Sequence, residues 1–176
     1  MAGAKRRARA VRLAIFDVDG VLTDGTLWIG RDGKEDVKAF NILDGHGVKM
    51  LQAAGIATAI LSGRESPMVA KRAKDLGIED VIQGSKDKLA AFAKLCRDRK
   101  IAPEACAFMG DDLPDLEVMM HCGFAAAPAN AAAAVKDRAH LVTRASGGRG
   151  AVREFCEAVL RAQGRADIVS GKHPVK

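Results

Sequence analysis

The chain has 176 residues, of which 48% are hydrophobic and 28% are charged, and its formal net charge is +6. This length and composition predict a single globular domain with an apolar core, and they are not typical of disordered or fibrous chains. No stretch of about 18 apolar residues occurs, so we expect no membrane partner. Much of the basic excess lies in the terminal segments and aromatic residues are few, so we expect no nucleic-acid partner.

Both ends of the chain are expected to lie outside the core. Residues 1–10 are predicted to form a flexible basic arm, because a strand pattern and not a signal-peptide core follows them. The core is expected over residues 11–164, and residues 165–176 lack periodicity and are expected to form a mobile tail. The four cysteines show no CxxC spacing, so we expect free thiols in a reducing, cytoplasmic environment.

The first predicted strand, residues 11–16, ends on Asp17, and Asp19 follows two residues later beside Gly20. Side chains at i and i+2 face the same way on extended backbone. We therefore expect both carboxylates to converge at the carboxyl end of this strand, which is the edge where open α/β sheets bind ligands. Taken alone, the stretch is also compatible with an ordinary Asp-Gly turn.

The rest of the chain predicts alternating strands and helices. Residues 26–40 indicate a β-hairpin around the turn GRDGK. Helices are then predicted at residues 44–54, 67–76, 88–100, 116–122 and 151–163, and strands at 56–61, 79–83, 105–109, 124–127 and 141–143. This order predicts an α/β fold, a Rossmann-like parallel sheet with helices on both faces, a β-hairpin insertion after the first strand and no lid domain.

Polar residues lie at further strand ends or helix starts, and they are Ser62, Gly63, Arg64, Lys88, Asp111, Asp112 and Asp115. Carboxylates crowded at one edge of a sheet repel each other unless a cation lies among them, and hard oxygen ligands suit Mg²⁺. We expect Asp17, Asp19 (through its backbone carbonyl) and Asp111 to bind Mg²⁺.

The same residues are suited to phosphoryl transfer. Ser62 and the Gly63 amide offer hydrogen bonds to a phosphoryl group, and Lys88 offers positive charge. Asp17 is the expected nucleophile, which forms an aspartyl-phosphate, and Asp19 is the expected general acid and base. Taken singly, each element has a simpler interpretation as a turn, a solvated helix residue or a helix N-cap. Their order along one chain favours an active site.

The chain resembles the haloacid dehalogenase-like superfamily and, within it, the 3-deoxy-D-manno-octulosonate 8-phosphate (KDO 8-phosphate) phosphatase family. This resemblance covers residues 12–164 and depends on the segments DVDGVLTDG, KAFNILDGHGVKML, LSGRESPMV, GSKDK, MGDDLPDL and GGRGAVRE. It implies a Mg²⁺-dependent phosphatase that acts in lipopolysaccharide precursor synthesis. It also implies a homotetramer in which hairpins pair and the C-terminal tail reaches a neighbour's active site.

The resemblance also implies a set of residues that bind the sugar acid phosphate. They are Asp19, Asn41, Ile42, Leu43, Asp44, Gly45, Lys49, Gly63, Arg64, Arg72 and Lys88. Two arginines suit this role because a sugar-acid carboxylate needs a counter-charge separate from the phosphate site. For Arg72, a solvated position on a helix is the alternative interpretation.

Three other functions remain open from the sequence. One is a phosphatase for a nine-carbon sugar acid 9-phosphate, and another is a non-catalytic oligomerisation domain of the same fold. Retention of Asp17, Asp19, Lys88 and Asp111 favours a working site over the second of these. The third is nucleic-acid binding through KRRARAVR, which predicts strong, salt-dependent retention on DNA.

Overall fold

A computed structural model describes residues 2–172 of the chain. Its strands are β1 (Leu13–Phe16), β2 (Trp28–Ile29), β3 (Glu35–Val37), β4 (Ala57–Leu61), β5 (Asp80–Ile82), β6 (Cys106–Met109), β7 (Phe124–Ala127) and β8 (Leu141–Val142). Six of them form one parallel sheet in the order β5-β4-β1-β6-β7-β8. The other two, β2 and β3, pair as an antiparallel hairpin.

Helices cover both faces of the sheet. They are α1 (Ala2–Arg9), α2 (Ile42–Ala53), α3 (Pro67–Leu76), α4 (Lys88–Arg99), α5 (Leu116–His121), α6 (Ala133–Arg138), α7 (Ala151–Ala162) and α8 (Ala166–Val169). One apolar cluster packs α1, α2, α3, α7 and α8 on one face, and a second packs α4, α5 and α6 on the other. The expected α/β fold with helices on both faces is confirmed. None of the helices between residues 2 and 172 combines the length and apolar character that crossing a bilayer requires.

Strand β1 is at the centre of the sheet because its side chains are apolar toward both faces. Leu13 and Ile15 pack into one cluster, while Ala14 and Phe16 pack into the other. Phe16 is in register with Ile60 of β4 and with Met109 of β6. The residues that follow these three strands therefore meet at one edge of the sheet.

The segment between β1 and β4 contains a short π-helical turn (Val18–Leu22), the β2–β3 hairpin and α2. The hairpin strands are shorter than expected, and their apolar side chains point to solvent, with Trp28 58% exposed. The expected hairpin insertion is present.

The N-terminal segment differs from the expected flexible arm. Residues 2–9 form the helix α1, whose Ala8 is buried against the core. Arg7 Nη1 donates to the Gly123 carbonyl at 3.0 Å, and Gln163, directly after α7, donates to the Val11 carbonyl at 2.8 Å. Ala4 and Ala8 lie on the packed face of α1, and their small side chains allow the helix to pack closely against the core. The many basic residues around them made this apolar face hard to recognise in the sequence.

The C-terminal segment differs in part from the expected mobile tail. Residues 166–169 form α8, whose Ile168 is buried in the core, and the Arg165 amide donates to the Leu160 carbonyl at 2.8 Å. The last part of the expected tail, residues 173–176, lies outside the described residues.

Candidate active site

A cleft of about 250 Å³ opens at the carboxyl edge of the sheet. Its walls are formed by Asp17, Asp19, Ser62, Gly63, Arg64, Lys88, Asp111, Asp112, Pro114 and Asp115. These residues follow β1, β4 and β6 or begin α4, so the sheet topology brings together side chains that are far apart in sequence. Open α/β sheets bind their ligands at this edge.

Asp17 lies at the base of the cleft directly after β1 and is 5% exposed. Its amide donates to the Met109 carbonyl at 3.0 Å, which extends the pairing of β1 with β6 by one residue. Lys88, the first residue of α4, places its Nζ 2.8 Å from Asp17 Oδ1 and 2.6 Å from Asp115 Oδ1. One ammonium group therefore bridges two carboxylates.

Three carboxylates crowd this end of the cleft, since oxygens of Asp17, Asp111 and Asp115 lie within 4.8 Å of one another. Burial, reinforced by the charge of Asp115 and opposed by Lys88, raises the pKa of Asp17 to about 6. Burial and then the charges of Asp17 and Asp115 raise the pKa of Asp111 to about 7. Burial alone would lower the pKa of Lys88, but Asp17 and Asp115 outweigh it and raise that pKa. Hard, negatively charged oxygens so close together fit a divalent cation.

Asp115 is tied to the loop that carries Asp111. Its Oδ2 accepts from the Asp111 amide at 2.9 Å and from the Asp112 amide at 3.3 Å, while its Oδ1 binds Lys88. Asp115 therefore shapes the loop and contributes the third carboxylate of the cluster. The expected metal contact through the Asp19 backbone carbonyl stays a prediction, because the cluster described here contains only side-chain oxygens.

The side chain of Asp19 lies on the opposite wall of the cleft. Its Oδ1 is paired with Lys38, and its Oδ2 lies 3.9 Å from Arg64 Nε. Gly20 follows at φ +89°, and a Cβ there would overlap the Asp111 carboxylate. Glycine is therefore needed at this position both for the backbone conformation and for the approach of the two loops.

Ser62 and Gly63 lie after β4 on the same side of the cleft as Lys88. The Ser62 amide donates to the Ile82 carbonyl at 2.9 Å, and its Oγ accepts from the Arg64 amide at 3.3 Å. The Lys88 side chain passes close to Gly63, where a Cβ would lie 3.8 Å from Lys88 Cε. A hydroxyl, a loop and an ammonium group therefore line one wall of the cleft.

The structure does not bring residues 41–45 into the cleft. Asn41 caps α2, accepting from the Leu43 amide at 2.8 Å, while Ile42 and Leu43 are 81% and 60% exposed. Gly45 lies against the guanidinium of Arg72. Asn41, Ile42 and Leu43 therefore form a surface beside the cleft and not one of its walls, whereas Asp44 and Gly45 are buried.

Asp44 requires a correction, because it is buried and faces α7. Its carboxylate accepts from the Gly150 amide at 3.2 Å and from the Arg153 amide at 2.8 Å, so it caps the N-terminus of that helix. Burial raises the pKa of Asp44, although hydrogen bonds from the α7 amides oppose the shift. Within one chain this carboxylate serves the fold and is not available to a substrate in the cleft.

Two further basic residues expected to bind substrate also lie outside the cleft. Arg72 Nη2 donates to the Asn41 carbonyl at 3.2 Å, and its guanidinium lies 5.9 Å from the centroid of the Phe40 ring. Lys49 lies farther along α2, where its Nζ approaches Gly77 at the end of α3. Arg64 is the basic residue that reaches both the cleft and the hairpin.

Known proteins match this chain over nearly its whole length. A family model described as haloacid dehalogenase-like hydrolase matches residues 77–155. The 3-deoxy-D-manno-octulosonate 8-phosphate phosphatase KdsC of Escherichia coli is 45% identical over 166 residues, which are 94% of this chain and 88% of that protein. This chain belongs to the KDO 8-phosphate phosphatase family.

Solved structures of KDO 8-phosphate phosphatases and related phosphatases share this fold. The phosphatase from Moraxella catarrhalis, crystallised with magnesium, phosphate and KDO, has a TM-score of 0.94 and 39% identity, with 98% of this chain and 99% of that chain covered. A probable YrbI-family phosphatase from Pseudomonas syringae has a TM-score of 0.94 and 50% identity, with 98% and 97% covered. The expected family and its class, phosphomonoester hydrolase, are therefore confirmed.

The sequence analysis missed three residues that shape this KDO 8-phosphate phosphatase-like cleft. Two of them come from the hairpin segment, where Lys38 forms ion pairs with both Asp19 and Glu35. Asn130 Nδ2 donates to the Gly20 carbonyl at 3.2 Å, and Asn130 Oδ1 accepts from the Gly147 amide at 2.7 Å. The sequence carried no signal for Glu35 and Lys38, because side chains at i and i+3 face opposite sides of an extended strand. Asn130 lies in an alanine-rich stretch that carried none either.

Proposed function

We propose that the protein is a Mg²⁺-dependent phosphatase that hydrolyses KDO 8-phosphate to KDO and phosphate. The observation that carries this proposal is the cleft itself, in which Asp17, Lys88, Asp111 and Asp115 converge in a chain 45% identical to KdsC. A non-catalytic domain of this fold would not need three neighbouring carboxylates, two of which have a pKa raised by burial and by the charges of the others.

We assign the metal to the carboxylates of Asp17 and Asp111, with the Asp19 backbone carbonyl as a further ligand. The crystal structure of the Moraxella catarrhalis relative contains magnesium and phosphate, which supports the choice of metal. When bound, Mg²⁺ neutralises the phosphoryl oxygens and so lowers the electrostatic barrier to an anionic nucleophile.

The protein residues then carry two chemical steps. An Asp17 oxygen attacks phosphorus, the bond from phosphorus to the sugar oxygen breaks, and that oxygen takes a proton from Asp19. In the second step Asp19 takes a proton from water, the water oxygen attacks phosphorus, and the bond to Asp17 breaks to release phosphate. Lys88, Ser62 and the Gly63 amide hold the phosphoryl oxygens during both steps.

The sugar acid is proposed to extend from the cleft toward Arg64, whose side chain is 44% exposed and whose guanidinium can pair with a carboxylate. Residues 41–43, Lys49 and Arg72 remain proposed contacts to the sugar acid at the surface beside the cleft. Asp44 and Gly45 are withdrawn from this set because one caps α7 and the other is covered by Arg72.

We further propose that the protein is a cytoplasmic homotetramer that acts in lipopolysaccharide precursor synthesis. The exposed apolar side chains Leu27, Trp28, Ile29 and Val37 of the hairpin support association, because such a cluster is unusual on a monomer surface. Sedimentation velocity measures the oligomeric state, and Trp28→Ser is expected to weaken it.

The test of the proposed function is phosphate release from a panel of sugar phosphates with and without Mg²⁺. We expect KDO 8-phosphate to be the preferred substrate, and EDTA to stop the reaction until Mg²⁺ is restored. Faster turnover of a nine-carbon sugar acid 9-phosphate would establish the alternative substrate. No turnover of any phosphate, with folded protein and Mg²⁺ present, would contradict a catalytic role.

A further inference from the structure

The hairpin places one buried ammonium group directly on Asp19. Lys38 follows β3, and its side chain is only 2% exposed. Its Nζ is paired with Asp19 Oδ1 and lies 2.8 Å from Glu35 Oε1. A buried lysine without partners would be costly, so this pairing holds both the lysine and its partners in place.

Arg64 closes the same network from the other side. Its Nη2 lies 3.1 Å from Glu35 Oε2, and its Nε lies 3.9 Å from Asp19 Oδ2. The network contains two acids and two bases, so its charge is balanced. Within this network, the contact between Lys38 Nζ and Asp19 Oδ1 fixes the direction of the Asp19 carboxylate.

Asp19 needs this help because little else holds its side chain. Its backbone is extended within the segment 18–22, and its two carboxylate oxygens have Lys38 and Arg64 as their ion-pair partners among the described residues. A general acid acts only when its oxygen lies within hydrogen-bond reach of the leaving oxygen, and small displacements are costly.

We propose that Lys38 is a positioning residue that orients the Asp19 carboxylate toward the leaving oxygen of the substrate. This inference rests on the proposed function, and it couples the hairpin to the proton transfer step. Lys38 belongs to neither the acid cluster nor the walls of the cleft. Its loss therefore affects the proton transfer more than the binding of phosphate.

The leaving group provides the decisive measurement. An alkyl phosphate such as KDO 8-phosphate needs a proton on its leaving oxygen, whereas p-nitrophenyl phosphate releases a stabilised phenolate that needs little help. The parameter to compare is kcat/KM, because it reports the steps up to departure of the alcohol and not the later hydrolysis of the aspartyl-phosphate.

For Lys38→Met we expect kcat/KM to fall roughly 100-fold with KDO 8-phosphate and several times less with p-nitrophenyl phosphate. The inhibition constant of free KDO is expected to stay unchanged, because Lys38 acts through Asp19 and not on the sugar. The matched control is Lys34→Met, an exposed lysine in the same hairpin, which is expected to leave both substrates unaffected.

The double variant Glu35→Gln, Lys38→Met removes the charge of both hairpin partners and separates positioning from charge imbalance. We expect it to remain folded by circular dichroism and to keep the selective loss on the alkyl phosphate. Recovery of alkyl phosphate turnover in the double variant would show that an unpaired Glu35 caused the defect, and would overturn the inference.

Equal losses on both substrates, or a weaker inhibition constant for KDO, would also overturn the positioning role while leaving the proposed function intact. If the wild-type protein hydrolyses another alkyl phosphate but not KDO 8-phosphate, only the assigned substrate fails, and the same comparison is made with that phosphate. A wild-type protein inactive on every alkyl phosphate would overturn the proposed function and this inference together.

Discussion

The cleft at the sheet edge and the first turn of α2 were both expected to contact the substrate. In the structure, the expected residues converge in the cleft but do not converge in α2. In the cleft, Asp17, Lys88 and Asp111 converge from three separate segments onto one small volume. At the start of α2, Asn41 caps α2 itself and Asp44 caps the N-terminus of α7. Ile42 and Leu43 face solvent. Side chains at the ends of parallel strands are placed by topology, whereas those on a helix depend on which neighbour packs against each face.

The largest expected effect tests the cleft side of this comparison. Asp17→Asn should lower kcat by roughly 10⁴-fold or more, because an amide is a poor nucleophile. Steady-state phosphate release with Mg²⁺ measures the loss. The exposed Asp98→Asn provides a matched control that should retain wild-type turnover. Appreciable activity in the Asp17 variant would exclude this residue as the nucleophile.

A smaller effect tests how closely the two acidic loops approach. Gly20→Ala should lower the free energy of unfolding by about 1–3 kcal/mol and reduce turnover, because the new methyl group overlaps the Asp111 carboxylate. The comparison is with Gly33→Ala, which has a similar φ of +77° but open space around its Cβ. Chemical denaturation measures both. Equal destabilisation without loss of activity in either variant would mean that backbone strain alone explains the glycine.

The α2 side of the comparison is tested with Asp44. Asp44→Ala should destabilise the protein by about 1–2 kcal/mol, because the Gly150 and Arg153 amides at the start of α7 lose their acceptor. The KM for substrate should change little when activity is assayed well below the unfolding temperature. A large rise in KM with unchanged stability would return Asp44 to the substrate site.

The smallest expected effect is a pH dependence of stability that arises at His140, away from both the cleft and the start of α2. His140 accepts a hydrogen bond from the Ala125 amide at 2.9 Å and stacks on Phe124, and its burial lowers its pKa below the ordinary value of 6.5. The folded state therefore favours the neutral ring. Stability from this group is complete above pH 6.5 and is lost as the pH falls through the folded pKa.

Urea unfolding at a series of pH values between about 5 and 8 measures this dependence. His140→Asn should flatten the acid side of the profile, because an amide oxygen can still accept from Ala125 but does not titrate in this range. An unchanged slope in the variant would assign the acid sensitivity to other groups.

Much of the sheet and the cleft could be predicted because the signals are local. An apolar run that stops at Asp17, and another that stops before Asp111, mark strand ends whatever their partners are. Helix α1 could not be predicted in this way. Its many arginines make the sequence look solvent-exposed, although its small residues form a face that packs on α7. Lys38 was missed for a related reason, because only the folded hairpin brings that side chain over Asp19.

The two hydrogen bonds of the Asn130 side chain have a consequence for the order in which the loops around the cleft can form during synthesis. Gly20, in the loop that follows Asp17, is held by a side chain 110 positions later, and that side chain in turn holds Gly147. The central strand β1 also lies between β4 and β6, so its neighbours emerge from the ribosome after it does. A nascent chain that ends before Asn130 therefore lacks the hydrogen bond to the Gly20 carbonyl, and one that ends before Gly147 lacks the amide that holds the Asn130 side chain.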